Sequence, residues 1–457
     1  MTAPDENTAP FRLQGWVSRV EKRGKWLFLK VNDRRSASER TIQVVTARAN
    51  APALIGVGSA VDAVGRLVPS PGPQQETELQ AESLRVYVND LPVVEGGCSG
   101  DQTQSLGVVR RQLSTRPQYR HFQALLRVRA RLKALLRDFL QRREFVEVDT
   151  PLLTTNDCEG GGQAFSLYID SEEGATSSTD HYFDRPAFLT VSGQLHLEAV
   201  ATALPRVYTF APSFRAEKSH SQRHLAEFYM VEVETAFVDD LEDLMKLAED
   251  MIRETSSELL ESCIDELAAS APVCQSLQYV EQVVSSLQRP ARFPVVSYKE
   301  ASVLIAEKLQ THRRHEEGGL KDFSREEERL IVDQCGGGDT PVFVTHFPAD
   351  AKPFYMRHEH NSNDDRPEAL CFDLLCPVVG EVVGGSLREP SYERLTERLA
   401  AVNQQDSLKW YANLRRCGYS PLGGFGLGFD RYLQYLLGAS SIKEMIPFPR
   451  YFPTCDL

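Results

Sequence analysis

The 457-residue chain has no window of 18 consecutive apolar residues, so no segment reads as a membrane-spanning helix. Its opening, Met1-Thr-Ala-Pro-Asp-Glu, carries neither a basic patch nor an apolar run, and no targeting segment is visible there. The nine cysteines are odd in number, scattered, and never spaced as C-x-x-C. That argues against a zinc knuckle or a disulfide framework and predicts inert thiols in a reducing compartment. No internal repeat is visible. At 42% hydrophobic and 25% charged residues, the composition predicts a soluble globular protein of two or three domains.

Net positive charge is lacking too: 51 basic against 64 acidic residues leave −13, which argues against a passive polyanion binder. The charge is uneven, however. Residues 11–40 hold nine Lys/Arg against three acids, and residues 107–143 hold eleven against Asp138 alone. Two basic zones on an acidic body suit a polyanion gripped at chosen points, and they suit solvated strand edges and a helix face equally well.

From Phe11 to about Tyr87, five short runs alternate apolar and polar residues between turn signals, which predicts a small β-barrel of the oligonucleotide-binding type over 1–95. Residues 96–119 lack periodicity and read as a linker. Phe122, Leu125, Leu132, Leu136 and Phe139 then recur near helical spacing. Beyond them, β-like runs alternate with helices over 120–457, with charged or small-residue stretches at 262–295 and 310–338 that read as peripheral insertions.

Two stretches carry chemistry. In 208-YTFAPSFRAEKSHSQRHLAEFYMVEVETAF, two strand-like runs flank a basic loop. Arg215 and Arg223 there suit a triphosphate, since guanidinium forks bind phosphate oxygens bidentately, although a hairpin with a charged tip has the same look. In 421-PLGGFGLGFDRYLQYLLG, a glycine-rich strand enters a helix at Arg431. It lacks the Gly-Lys-Ser/Thr ending of a Walker loop, and no βαβ unit surrounds it.

These stretches resemble motifs 2 and 3 of the class II aminoacyl-tRNA synthetases, and Phe145-Val-Glu-Val-Asp-Thr-Pro151 resembles motif 1. The resemblance implies an α+β fold: a six- to seven-stranded antiparallel sheet flanked by helices, behind an N-terminal anticodon-binding OB-fold. It also implies a homodimer that binds no membrane. Val191-Ser-Gly-Gln-Leu-His-Leu-Glu198 resembles the asparaginyl branch, because Leu197 stands where aspartyl relatives carry a lysine; NDCEGGG (156–162) and IPFPR (446–450) agree. The wording of SGQLHLE and RHLAEFYM is similar to the mitochondrial type, implying the mitochondrial matrix, with the cytoplasm as the alternative.

The implied reaction joins L-asparagine to ATP and then to tRNA(Asn), with Mg²⁺. Carried over by motif, Arg215 would contact the substrate carboxylate and the α-phosphate, and Arg223 and Arg431 the β/γ-phosphates. Adenine would lie between Phe228 and Arg431, with Glu217, His224 and Leu225 beside it. Asp373 and Glu381, eight residues apart, would hold Mg²⁺. Glu159, Ser192 and Gln194 would bind the α-ammonium. Glu198 would accept from the asparagine amide nitrogen while Arg388 donates to its oxygen, and Gly384 replaces a metal-binding serine of some aspartyl relatives. In the barrel, Phe28 and Gln43 would stack on and hydrogen-bond an anticodon base. The rival readings are an aspartyl or non-discriminating synthetase and a non-catalytic tRNA-binding paralogue.

Overall fold

The computed structural model describes residues 10–35, 41–51, 55–72, 75–87, 106–155, 164–168, 182–183, 185–271, 273–309, 322–359, 366–416 and 418–457. Two compact units emerge, one comprising the chain up to Val128 with Cys263–Val273, the other Arg129–Ser262 with Cys274–Asp456.

In the first unit, β1 (Phe11–Arg23), β2 (Trp26–Asn32), β3 (Thr41–Ala47), β4 (Ala60–Pro69) and β5 (Thr77–Tyr87) close a barrel in the order β1-β2-β3-β5-β4. Alternation drives it: Leu13, Val17, Leu27, Leu29, Val31, Val44 and Leu79 point inward and form one apolar core, while their neighbours face out. The barrel is therefore as expected, but the linker is not. Part of 96–119 is structured: α1 (Leu106–Arg111) precedes a turn in which Val109, Leu113 and Arg116 are buried, and the Arg116 guanidinium lies 4.0 Å from the Phe122 ring centroid. An aperiodic stretch this short hides a helix of less than two turns. α2 (Arg120–Arg142), whose apolar stripe is buried as its spacing predicts, starts in this unit and belongs to the second from Arg129 on, and the short α5 (Ile264–Ser270) completes the first.

The second unit is built on a nine-stranded sheet. Its central six strands are antiparallel: β13 (Val342–Pro348), β15 (Glu368–Cys376), β16 (Gly380–Leu387), β17 (Leu422–Gly428), β11 (Glu227–Ala236) and β10 (Arg206–Phe214). Two short parallel strands extend it, β6 (Val146–Glu147) on β10 and β12 (Val295–Ser297) on β13, and β14 (His358–Glu359) pairs with β15. The sheet is thus mixed rather than purely antiparallel. A separate small sheet joins β7 (Leu153–Thr154), β8 (Ser166–Leu167) and β9 (Ala187–Leu189).

Around the large sheet lie α3 (Gln194–Ala201), α4 (Leu241–Ser262), α6 (Leu277–Leu287), α7 (Tyr298–Leu309), α8 (Arg325–Cys335), α9 (Tyr392–Ala401), α10 (Lys409–Asn413) and α11 (Phe429–Leu437). Neither supposed insertion is peripheral. α6 buries Val280, Val284 and Leu287, and α8 buries Ile331 and Val332 in a core shared with β13, β15, α7, α9 and α10. Acidic residues on α5 and α8, and small or polar ones on α6, masked the apolar stripes of these helices. No described helix is long and apolar enough to cross a membrane.

Barrel closure generates a test. Gly65 sits at a bulge between β4 and β5, where a Cβ would overlap the carbonyl oxygen of Gln80. Gly65→Ala should cost the barrel about 1–3 kcal/mol by overpacking. Denaturant unfolding followed by fluorescence of Trp16 and Trp26, two of the three tryptophans, checks it.

Candidate active site

Small residues make room for the site. On one face of the sheet Gly384, Ser386, Gly424 and Gly426 lie across adjacent β16 and β17, and Gly426 and Gly424 stand opposite Glu232 and Glu234 of β11. With no side chains on those glycines, the acids project into the larger of two cavities of about 340 and 520 Å³. Arg215, Met230, Glu381 and Gly426 line both, so the two are halves of one cleft.

The smaller half gathers Arg215, Glu217, Arg223, His224, Leu225, Phe228, Glu381 and Arg431, all singled out from sequence. Arg215 lies 5.7 Å from the Phe228 ring centroid. Leu225 is an apolar wall, packed with Ile442 and Ile446. The His224 ring accepts or donates at Ser219 and Ser221, 3.0 and 2.7 Å away, and burial lowers its pKa. Arg431 donates to the Glu381 carbonyl at 2.6 Å, and burial lowers its pKa as well. Sequence reading missed Glu328 of α8, which accepts from Arg223 at 2.9 Å; burial raises its pKa.

The larger half holds Ser192, Gln194, Arg215, Asp373, Glu381 and Arg388 of the expected residues. Asp373 and Glu381 meet through a bulge. Asp373 pairs with Gly384 and Leu375 with Glu381, so Val382 is an extra residue that turns Glu381 onto the face of Asp373. A Cβ on Gly384 would lie 2.9 Å from one carboxylate and 3.4 Å from the other. Lys352, also missed, donates to Asp373 at 2.8 Å and lies 3.2 Å from Asp322. Burial, with Glu381 nearby, pushes the Asp373 carboxyl up to about 7 against the pull of Lys352.

The expectation for Glu198 needs correcting. It does not line the cavity: fully buried behind it, its carboxylate accepts from Tyr411 at 2.7–2.8 Å, Arg415 at 3.0 Å and Gln194 at 3.1 Å. Glu234 takes its place in the wall, accepting from Arg388 Nε at 3.0 Å and Nη2 at 2.7 Å. Burial pushes Glu234 up to about 7, and burial also works against the Arg388 charge, which Glu234 nonetheless holds above its ordinary pKa. Glu232 is a third acid missed: it accepts from the Ser192 hydroxyl and from the Gly193 amide at 2.8 Å, and burial raises its pKa. The alternation of 231-VEVET was the available signal, since charged residues at every second position of a strand facing a cavity rarely point to solvent. Glu159 lies outside the described residues.

In the barrel, Phe28 is half-buried on the outer face. Strand register puts Lys30 and Gln43 on that same face, with Arg19 opposite Lys30. Gln43 donates to Glu78 at 3.0 Å.

The family described as tRNA synthetases class II (D, K and N) matches residues 108–451. A human protein named asparaginyl-tRNA synthetase is 38% identical over 98% of this chain and 91% of its own length, and an asparagine–tRNA ligase of Metamycoplasma arthritidis is 35% identical over 99% and 97%. The chain belongs to the class II asparaginyl-tRNA synthetases. Among solved structures, the asparaginyl-tRNA synthetase of Pyrococcus horikoshii, complexed with asparaginyl-adenylate, superposes with a TM-score of 0.79 at 30% identity, covering 97% of this chain and 95% of that one.

For such a synthetase, the glycine floor is a sharp test. A Cβ on Gly424 would overlap Glu234 and the Val233 carbonyl oxygen and sit 2.8 Å from Arg388 Nη2. Gly424→Ala should therefore cut asparagine-dependent ATP–pyrophosphate exchange on the order of 10²-fold, the usual penalty for a small misplacement, with the chain still folded by circular dichroism.

Proposed function

We propose that the two halves of the cleft hold ATP and asparagine respectively, and that Arg215, common to both walls, bridges the reacting carboxylate and α-phosphate. Its position where the halves join is the observation that carries this reading. The asparagine carboxylate oxygen attacks the α-phosphorus in line, pyrophosphate leaves, and asparaginyl-adenylate forms; a terminal ribose hydroxyl of tRNA(Asn) then takes the acyl group and releases AMP. The protein supplies position and charge rather than covalent chemistry. Arg223 and Arg431 receive the outer phosphates, and Phe228 covers the purine. The relative crystallised with asparaginyl-adenylate supports an adenylate intermediate here.

At the amino-acid end, Glu232 with Ser192 and Gln194 offers acceptors for the α-ammonium. Glu234 accepts from the side-chain amide nitrogen while Arg388 donates to its oxygen. Asp373 and Glu381 fit Mg²⁺, a hard cation that takes one or two carboxylates and completes its shell with phosphate and water. Bound there, Mg²⁺ would neutralise phosphate charge.

The outer barrel face around Phe28, Lys30 and Gln43 suits unstacked anticodon bases, which proteins read by stacking and by hydrogen bonds to base edges. Homodimerisation is supported by Val146, Leu152 and Leu153, exposed apolar residues on and beside the edge strand β6. Mitochondrial placement rests on the wording of SGQLHLE and RHLAEFYM.

The decisive experiment is ATP–pyrophosphate exchange with asparagine and aspartate in parallel. Asparagine alone should support exchange, and Arg215→Ala should lower it on the order of 10²–10³-fold. Exchange with aspartate would favour a non-discriminating enzyme, and silence with both a non-catalytic paralogue. Gln43→Ala should weaken tRNA charging and leave exchange intact; an equal loss in both assays would remove the barrel from tRNA recognition. Glu328 competes with a phosphate for Arg223, so Glu328→Gln should lower KM for ATP a few-fold, measured by initial rates at saturating asparagine.

A further inference from the structure

Behind the wall of the asparagine subsite runs a row of buried charges of alternating sign: Glu234, Arg388, Glu198, Arg415. Arg388 holds Glu234 through Nε and Nη2 at 3.0 and 2.7 Å and donates from Nη1 to Ser386 at 2.6 Å. Its Nε also lies 3.7 Å from Glu198, whose other oxygen accepts from Arg415 Nη2 at 3.0 Å. Arg415 is fixed in turn, donating from Nε to the Glu389 carbonyl at 3.0 Å and from Nη2 to the Tyr411 hydroxyl at 3.0 Å. The side chains of Glu198 and Arg415 are fully buried, and neither lines the cavity.

From this row we propose that Glu198 is a specificity-determining residue and Arg415 a positioning residue, both acting through Arg388 to select asparagine over aspartate without touching either. The proposal rests on the reading of Glu234 and Arg388 as the side-chain subsite.

Of the five N–H bonds of a guanidinium, Arg388 spends three on Glu234 and Ser386, so two remain for a substrate oxygen. Two carboxylates already face this one cation. It therefore has donors to offer a neutral amide but no uncompensated charge for an aspartate carboxylate, which would lie beside Glu234 and be repelled. Glu198 is what makes the balance exact in sign: without it, the row sums to one positive charge. Arg415 keeps Glu198 from competing with Glu234 for Arg388. Removing Arg415 leaves an uncompensated buried anion 3.7 Å from Arg388 Nε, drawing the guanidinium off its line toward the substrate.

The test is a charge cycle read as kcat/KM for asparagine and for aspartate in pyrophosphate exchange. Glu198→Gln should lower the asparagine-to-aspartate preference by about tenfold, because a unit charge acting across a buried gap of this size is worth at least that. Arg415→Met should raise KM for asparagine about tenfold with KM for ATP unmoved, and Arg415→Lys should recover most of the loss. The double variant Glu198→Gln/Arg415→Met, neutral again, should regain much of the wild-type preference. Equal losses in all variants with an unchanged preference, or no recovery in the double variant, would reduce the row to a structural brace. Glu234→Gln separates this from failure of the underlying reading. If it leaves the preference intact, the subsite itself is misassigned; if it moves the preference while Glu198→Gln does not, the relay alone falls. Thermal unfolding of each variant excludes loss of fold as the cause.

Discussion

The cleft is held in register by one carboxylate. Asp430, in the first turn of α11, accepts from the Tyr229 amide of β11 at 2.8 Å and from the Arg129 guanidinium, and Arg129 also donates to the Met445 carbonyl at 3.0 Å. α11, β11, α2 and the C-terminal segment therefore meet at a single buried charge pair. Arg431 follows Asp430 and Phe228 precedes Tyr229, so the two candidate nucleotide contacts are each one residue from this tie. Removing either partner would strand a buried charge, a loss of several kcal/mol that few surface contacts offset. Cationic side chains on α2 add to the same joint: Arg129 lies 4.7 Å from the Phe429 ring centroid and Lys133 lies 3.7 Å from that of Tyr229.

What was legible in the sequence follows from how local each signal is. The barrel showed itself because alternation such as Trp26-Leu-Phe-Leu-Lys-Val needs only neighbours to be read. The nucleotide half of the cleft was almost as plain, since all of its expected residues but Glu381 fall within two contiguous stretches. The amino-acid half was harder. Glu198 and Glu234 are both acids on elements around the cavity, and which one reaches Arg388 from inside depends on the rotation of α3 against β11, set by packing between segments far apart in the chain. Lys352 and Glu328 come from stretches without a motif, and their roles arise from proximity alone. Glu328 was hidden because an acidic helix surface looks like a solvated one until the sheet beside it is known.

On the proposed reading, selection in this molecule is a matter of sign as well as shape. Leu197, which the sequence resemblance sets against a lysine of the aspartyl branch, is itself buried and lines the cavity as an apolar surface. Arg388, one of the cations in the same wall, is enclosed by the Glu234 and Glu198 carboxylates. On that reading, repulsion and a cation without uncompensated charge do the work that a tighter cavity could not, because asparagine and aspartate are nearly the same size.

The bulge at Val382 gives the candidate metal pair a different kind of dependence. Asp373 and Glu381 share a face because the bulge absorbs Val382 between Gly384 and Glu381. Gly384 and Glu381 are three residues apart, a spacing that in a regular strand puts side chains on opposite faces. The constraint there falls on the bulge more than on the identity of the residue it holds. Closing the bulge without shortening the strand would leave every acid in the sequence while sending Glu381 to the opposite side of the sheet, whereas losing Val382 would restore regular pairing with Glu381 still opposite Leu375.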